Sequence, residues 1–224
     1  MTEYFNQLSY YGPELAKALA ETGEMLLYSI LSALLIGLPM GTFLFMSRKK
    51  QASSTRLLSV VLNRLIDIIR SFPFLLLVIA LIPITRGVLG TAFGTRAAAF
   101  PLSFVSAALY ARLVEQVLLD VPKEVSELAQ VLGAGKRQLV MQFLYVEARS
   151  GLVLTLTSVI VSMVSYSTVM GVVGGGGIGD FALRYGYQRY EYGLMYTAII
   201  LMILFVASIQ IIGNRVAEKI DKRH

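Results

Sequence analysis

The chain has 224 residues, 56% of them hydrophobic and only 15% charged, with a formal net charge of +6 and a mean hydropathy of +0.67. Soluble domains carry about 25% charged residues, so this composition describes a chain that lies in a membrane. There is no cysteine, and the single histidine is His224, which excludes disulfides, thiol nucleophiles, iron–sulfur clusters and histidine-based metal sites; apart from Arg48-Lys49-Lys50 the basic residues sit between apolar blocks, so nucleic acid is not an expected partner.

In chain order, Met1 to Glu24 carries four glutamates and one lysine, the opposite of a basic signal-peptide start, and is read as mature protein. Crossing about 30 Å of hydrocarbon takes about 20 mostly apolar residues, because only a helix satisfies its own backbone there. Five stretches qualify: residues 24–46, 57–85, 97–119, 150–173 and 192–214. The second joins the sparsely charged Leu57 to Arg70 with the uncharged Ser71 to Thr85, and the third carries Arg112 and Glu115 near one end. Pro39, Pro73, Pro83 and Pro101 fall within or at the ends of spans, where each removes a backbone donor and favours a kink. Gly37 and Gly41 form a small-residue pair that lets helices approach closely, and Gly90 and Gly94 repeat the spacing in a connecting loop.

The Lys/Arg distribution tests the count, because short cytoplasmic connections are enriched in these residues. With five spans, 15 of the 20 basic residues fall on one side (around the first connection, the third connection and the tail) and 5, namely Lys17, Arg86, Arg96, Arg184 and Arg189, on the other. The expected fold is therefore an all-α membrane protein with the N-terminus outside and the C-terminus cytoplasmic. Four spans would place the acidic head and basic tail together and fit worse. No repeat, linker or low-complexity segment marks a second domain, so residues 1–224 are read as one transmembrane domain.

Residues 120–149 form the largest inner connection and are patterned. Asp120 before Pro122 reads as an N-cap and Gly133 as a left-handed C-terminal residue, giving a short helix from about Pro122 to Leu132. Val121, Val125, Leu128, Ala129 and Leu132 recur at helical spacing, and a second helical stretch, Lys136 to Tyr145, leads into span four. Periodicity alone leaves two readings open, an amphipathic connector resting at the interface and a docking site for another protein.

Glu127-Leu128-Ala129, then Gly133, then Phe143-Leu144-Tyr145-Val146-Glu147-Ala148 resembles the cytoplasmic signature of ATP-binding-cassette (ABC) importer permeases: E-A-A, three residues, Gly, nine residues, I-x-L-P. The glutamate, second alanine and glycine match at the right spacing. Leu128, Phe143, Tyr145 and Val146 depart from the pattern. Along most of the chain, Arg70-Ser71-Phe72-Pro73-Phe74, Ile82-Pro83-Ile84-Thr85-Arg86, Gly90-Thr91, Ala111-Arg112-Leu113-Val114-Glu115, Gly133-Ala134, Tyr166-Ser167, Gly174 to Gly179 and Tyr185-Gly186-Tyr187 resemble the methionine permease subfamily. The resemblance implies a multi-pass protein of the bacterial inner membrane that pairs with a second copy of itself. It further implies two cytoplasmic ATPase subunits, which hold the ATP and Mg, and an external methionine-binding protein. The helix ending at Gly133 would be the coupling helix, with Glu127, Leu128, Ala129, Gly133, Ala134 and Glu147 as ATPase-coupling residues.

In span four, Gly151, Thr155, Ser158, Ser162, Ser165 and Val169 recur in steps of three and four and form one small, hydroxyl-bearing stripe. It serves either tight packing or a pathway or dimer axis. The resemblance puts a gate near the end of this helix, at Tyr166, Ser167, Thr168, Val169 and Met170, where an apolar constriction suits a polarizable thioether. Arg64, Asp67 and Arg70, and Arg112 with Glu115, are spaced to pair along their own helices; the minority reading is a proton relay. Gly174 to Gly179 satisfies G-x-G-x-x-G without the strand and helix that a dinucleotide site requires, and reads as a sharply turned or mobile external loop. Gly135-Lys136 fails as a phosphate loop, with Gln130 and Arg137 at its defining positions, so ATP hydrolysis is assigned to a partner. The rivals are an ABC permease for another small amino acid or peptide, an ion-coupled secondary transporter, for which a symmetric repeat of spans is expected, and an intramembrane enzyme.

Overall fold

The computed structural model describes residues 9–48 and 53–221, and every regular element among them is helical. Lys49, Lys50, Lys222 and Arg223 of the charge count, Glu3 of the acidic head and His224 lie outside the described residues. The helices are α1 (Gly12–Arg48), α2 (Ser53–Ser71), α3 (Phe74–Leu89), α4 (Thr95–Leu119), α5 (Lys123–Val131), α6 (Lys136–Val172), α7 (Gly177–Phe181) and α8 (Tyr192–Ile220). Three π turns interrupt the α-helical hydrogen bonding, at Ala33–Gly37 in α1, Leu139–Leu144 in α6 and Ala182–Tyr187 after α7.

Four helices, α1, α4, α6 and α8, are long and apolar enough to cross a membrane, and α2 with α3 makes a fifth candidate if that bent pair is one span. The sequence reads residues 57–85 as one run. The chain instead breaks into two helices at Phe72-Pro73, because Pro73 has no N–H to continue the ladder and sits as the N-cap of α3 with ψ 125°. Pro83 and Pro101 are tolerated inside α3 and α4. The most apolar window of α4 is 67% buried and that of α8 only 6%, so α4 is the helix others pack around. The outward faces of α8, including Ile203, Leu204 and Ile212, are left for lipid or another chain.

The described residues form two compact units. The first comprises the described parts of Met1–Leu31 with Phe72–Val105 and Ile160–Ile209. Its core is Ala18, Ile178, Phe181, Leu194 and Ala198, with Tyr11, Leu15 and Tyr185 packed around it. Close backbone approach is what the glycines supply here: a Cβ on Gly179 would run into the Thr168 backbone, and one on Gly171 into the Asp180 amide. The glycine tract is sharply turned, as one of the two sequence readings had it. Gly174, Gly176 and Gly177 take positive φ, and Gly94 donates its amide to the Gly174 carbonyl at 3.0 Å.

The second unit comprises Ser32–Ser71, Ser106–Val159 and the described part of Gln210–His224. Leu44, Ile66, Ala108 and Ala111 form its core. Gly37 and Gly41 do what their spacing suggests: a Cβ on Gly41 would meet the Ala111 carbonyl and lie 2.8 Å from Val114 Cβ, and one on Gly37 would lie 2.8 Å from the Ala107 carbonyl. Tyr110 buries its ring and donates its hydroxyl to the Leu152 carbonyl at 3.2 Å, which ties α4 to α6.

Candidate functional site

The signature segment lies wholly in the second unit. Helix α5 starts one residue later than expected, and its N-cap is Pro122, without a side-chain cap. Asp120 still belongs to the end of α4, donating its amide to the Gln116 carbonyl. Proline restricts Val121 before it to extended backbone, and Pro122 is itself extended, with ψ 139°, so the helix starts at Lys123. At the other end Gly133 has φ +71°, its amide bonds the Gln130 carbonyl at 3.0 Å, and the Ala134 amide reaches back to the Ala129 carbonyl at 2.9 Å. This pair of bonds is a Schellman end. No atom crowds the place a Cβ would take on Gly133, so the demand for glycine comes from backbone conformation alone.

Only one side of α5 is covered. Ser126 and Ala129 are buried, and α5 packs against the π turn 139–144, where Leu144 is fully buried; the two halves of the signature therefore meet. Leu128, Val131 and Leu132 are 55%, 85% and 66% exposed, and Glu127 is exposed beside them. Of the apolar residues at helical spacing, Ala129 is buried while Leu128 and Leu132 point to the uncovered side. Tyr145 donates its hydroxyl to Thr42 Oγ1 at 2.6 Å, since the one hydroxyl hydrogen of Thr42 goes to the Leu38 carbonyl at 2.8 Å. Phe143 and Glu147 are half-buried and Val146 is exposed.

Buried charge in this unit crosses helices rather than staying on one. Glu115 is fully buried and holds two guanidinium groups: Arg48 Nε donates to its Oε1 at 2.7 Å and Arg112 Nη1 to its Oε2 at 2.6 Å. Arg112 also donates to Asn63 Oδ1 at 2.9 Å and to Asp67 Oδ1 at 2.7 Å. The expected Arg112–Glu115 pair is present; Asp67, expected to pair with Arg64 or Arg70 on its own helix, instead binds Arg112 on α4. The sequence carries no signal for Arg48 or Asn63 as partners: the register of Arg48 against α4 is set by the Gly37 and Gly41 contacts of α1, and Asn63 reaches Arg112 from a third helix, α2. Two arginines, one aspartate and one glutamate balance in charge, with Glu115 and Arg112 buried and Arg48 and Asp67 half-exposed.

The gate candidates lie in the first unit, at the end of α6. Tyr166 stacks on Phe74 with ring centroids 4.4 Å apart. Ser167 is buried and donates to the Val164 carbonyl at 2.7 Å, and Thr168 donates to the Ser165 carbonyl at 2.6 Å. Met170 is buried, close to the point where Gly175 passes, while Val169 is half-buried. Earlier in the same helix Thr155, Ser158 and Ser165 donate to the carbonyls of Gly151, Leu154 and Val161, so these hydroxyls of the stripe hydrogen-bond back to their own backbone.

Sequence reasoning missed the cap of α7. Glu21 Oε2 accepts the Gly177 amide at 2.8 Å and Thr22 Oγ1 accepts the Ile178 amide at 3.0 Å, so two residues of α1 satisfy the amino-terminal turn of a helix 156 positions away. Beside it is a cleft of about 480 Å3 whose charged lining is Glu14, Lys17, Glu21, Asp180 and Arg184. Among the described residues no cluster of three or more His, Cys, Asp or Glu side chains is placed to hold a metal ion.

An all-helical chain with several membrane-length helices and glycine-mediated helix contacts has the architecture of a multi-pass membrane protein. Residues 33–224 match the family described as binding-protein-dependent transport system inner membrane component, and the chain belongs to that family; it is a multi-pass protein of the bacterial inner membrane. It is 38% identical over 208 residues to the probable D-methionine transport system permease protein MetI of Haemophilus influenzae, covering 93% of this chain and 98% of the relative. Identity is also 38%, over 188 residues and 84% of each chain, to the protein of the same description from Vibrio cholerae. Among solved structures it is similar to a chain from inward-facing conformations of the MetNI methionine ABC transporter, with a TM-score of 0.89, 34% identity and coverage of 95% and 98%.

Proposed function

We propose that this chain is the permease of an ATP-driven methionine importer, working as a homodimer with two cytoplasmic ATPase subunits and an external methionine-binding protein. The named relatives and the likeness to the MetNI transporter support the substrate and the assembly. The 15 to 5 division of basic residues supports an outside N-terminus and a cytoplasmic C-terminus.

The observation that carries the coupling role is the outward face of α5. Leu128, Val131 and Leu132 are exposed on a rigid helix that is backed by the 139–144 turn and ended by a left-handed glycine. Apolar side chains so exposed on a short helix at a membrane surface suit a cleft in a partner. In this reading Glu127, Leu128 and Ala129 dock, Gly133 and Ala134 set the angle of return, and Glu147 steadies the start of the following helix. ATP and Mg act on the partner subunit, whose closure moves α5 and through it the spans. Tyr166, Ser167, Thr168, Val169 and Met170 are the proposed gate.

The chain contains no cysteine, so single-cysteine labelling is direct. Leu132→Cys is expected to crosslink to the ATPase in membranes that contain all components, and labelled methionine uptake by the reconstituted complex is expected to need ATP and both partners. Crosslinks to lipid or to its own chain alone would refute the docking role, and uptake without the ATPase would favour an ion-coupled mechanism.

A further inference from the structure

The second unit contains a groove of about 440 Å3 between the carboxyl-terminal end of α1 and the start of α6. Most of its wall is apolar, from Phe43, Met46 and Val140, and its rim carries Lys136 and Arg137. Both cations are exposed, and among the described residues neither has a carboxylate within ion-pair distance. Ser47, which is 8% exposed and lines the same groove, has a buried hydroxyl oxygen without a hydrogen-bond partner. Nothing in the fold uses these three polar groups.

Their position identifies the occupant. Helix α6 is 37 residues long, well beyond the roughly 20 that cross the hydrocarbon. Its first residue, Lys136, lines the groove beside Met46 and Ser47, where the span read over residues 24–46 ends, which puts it at the aqueous edge of the hydrocarbon, and its amino-terminal turn adds partial positive charge to that of the two side chains. A groove that is apolar along its length and cationic at an aqueous rim matches a molecule with an acyl chain and an anionic head. We propose that this groove is a binding site for an anionic phospholipid, with the phosphate held by Lys136 and Arg137, the Ser47 hydroxyl available to a glycerol or ester oxygen, and an acyl chain along Phe43, Met46 and Val140. The proposal requires only that the chain lies in a membrane and is independent of the coupling role of α5.

The test uses the full chain with its copurifying subunits, reconstituted in phosphatidylcholine vesicles containing sub-saturating photoactivatable phosphatidylglycerol, with adducts mapped by mass spectrometry. Adducts are expected on the groove residues. The double variant Lys136→Gln/Arg137→Gln is expected to reduce them by about thirtyfold, from the attraction of two interfacial cations for an anionic lipid. The control Arg56→Gln/Arg64→Gln, which removes two exposed cations elsewhere in the unit, should leave them unchanged, and Ser47→Ala should lower them without altering charge. The proposal is overturned if a photoactivatable phosphatidylcholine labels the groove equally, or if the Lys136/Arg137 variant labels like the parent. Competition by excess soluble glycerol phosphate would make this a free-phosphate site and would also overturn it. Loss of a copurifying subunit with labelling intact would assign the groove to a protein partner instead.

Discussion

Arg48 donates its Nε hydrogen to Glu115 Oε1 at 2.7 Å and joins the last described turn of α1 to the carboxyl-terminal part of α4, at a carboxylate otherwise sealed from solvent. The two ends of this ion pair are unequal, since the Arg48 side chain is 55% exposed and that of Glu115 is 1% exposed. Glu115→Ala leaves Arg112 buried without its closest acceptor and is expected to destabilise the protein by about 3–5 kcal/mol. Arg48→Ala gives up a half-solvated contact and should cost no more than about 1 kcal/mol. Thermal unfolding of the purified protein in detergent measures both, and equal losses would contradict the asymmetry.

Gly41 and Gly87 offer a matched comparison. A Cβ on Gly41 runs into the Ala111 carbonyl, whereas around Gly87 nothing lies within 4 Å. Gly41→Ala is expected to cost about 1–3 kcal/mol through overpacking, and Gly87→Ala to be neutral or to stabilise by about 0.5–1 kcal/mol through reduced chain freedom. The ratio of folded to aggregated protein after a heat step ranks the two.

Thr22 accepts the Ile178 amide in a buried setting. Thr22→Val keeps the shape and removes the acceptor, which is expected to cost about 1–3 kcal/mol. The diagnostic readout is local: amide exchange should accelerate at Ile178 and its neighbours while α5 keeps its protection.

Because a side chain at Gly133 meets only its own backbone strain, the choice of substituent separates conformation from contact. Gly133→Val is expected to leave the chain in the membrane and uncouple ATP hydrolysis from uptake. Gly133→Asn, which tolerates the left-handed region, should retain most transport. Uptake by proteoliposomes holding all subunits distinguishes them, and normal transport by the valine variant would count against the docking role.

Sequence patterns made the long helices readable because lipid imposes a length and an apolar composition on them, and Gly133 was readable because a helix end has its own local chemistry. Arg112 with Glu115 was visible for the same reason, lying three residues apart on one helix. The partners of that pair were not visible. Arg48, Asn63 and Asp67 come together only through the register of three helices, and no window of sequence encodes that register. The outward turn of Leu128 and Leu132 was hidden likewise: an amphipathic stripe states that one face differs from the other, not which face is covered. The break at Phe72-Pro73 was half legible, since the proline signals interruption without fixing the angle that follows.

The helix from Lys136 to Val172 is apolar enough to cross a membrane yet carries a run of hydroxyl side chains, and hydroxyl hydrogens are not what it presents. Its threonines and serines aim their hydrogens at carbonyls one turn back, so a solute gliding past would brush methyl groups and lone pairs and find few donors to grip. In the proposed pathway, discrimination along such a wall would rest on breadth and contour, and the chemical reading of a cargo would fall to whatever hands it over.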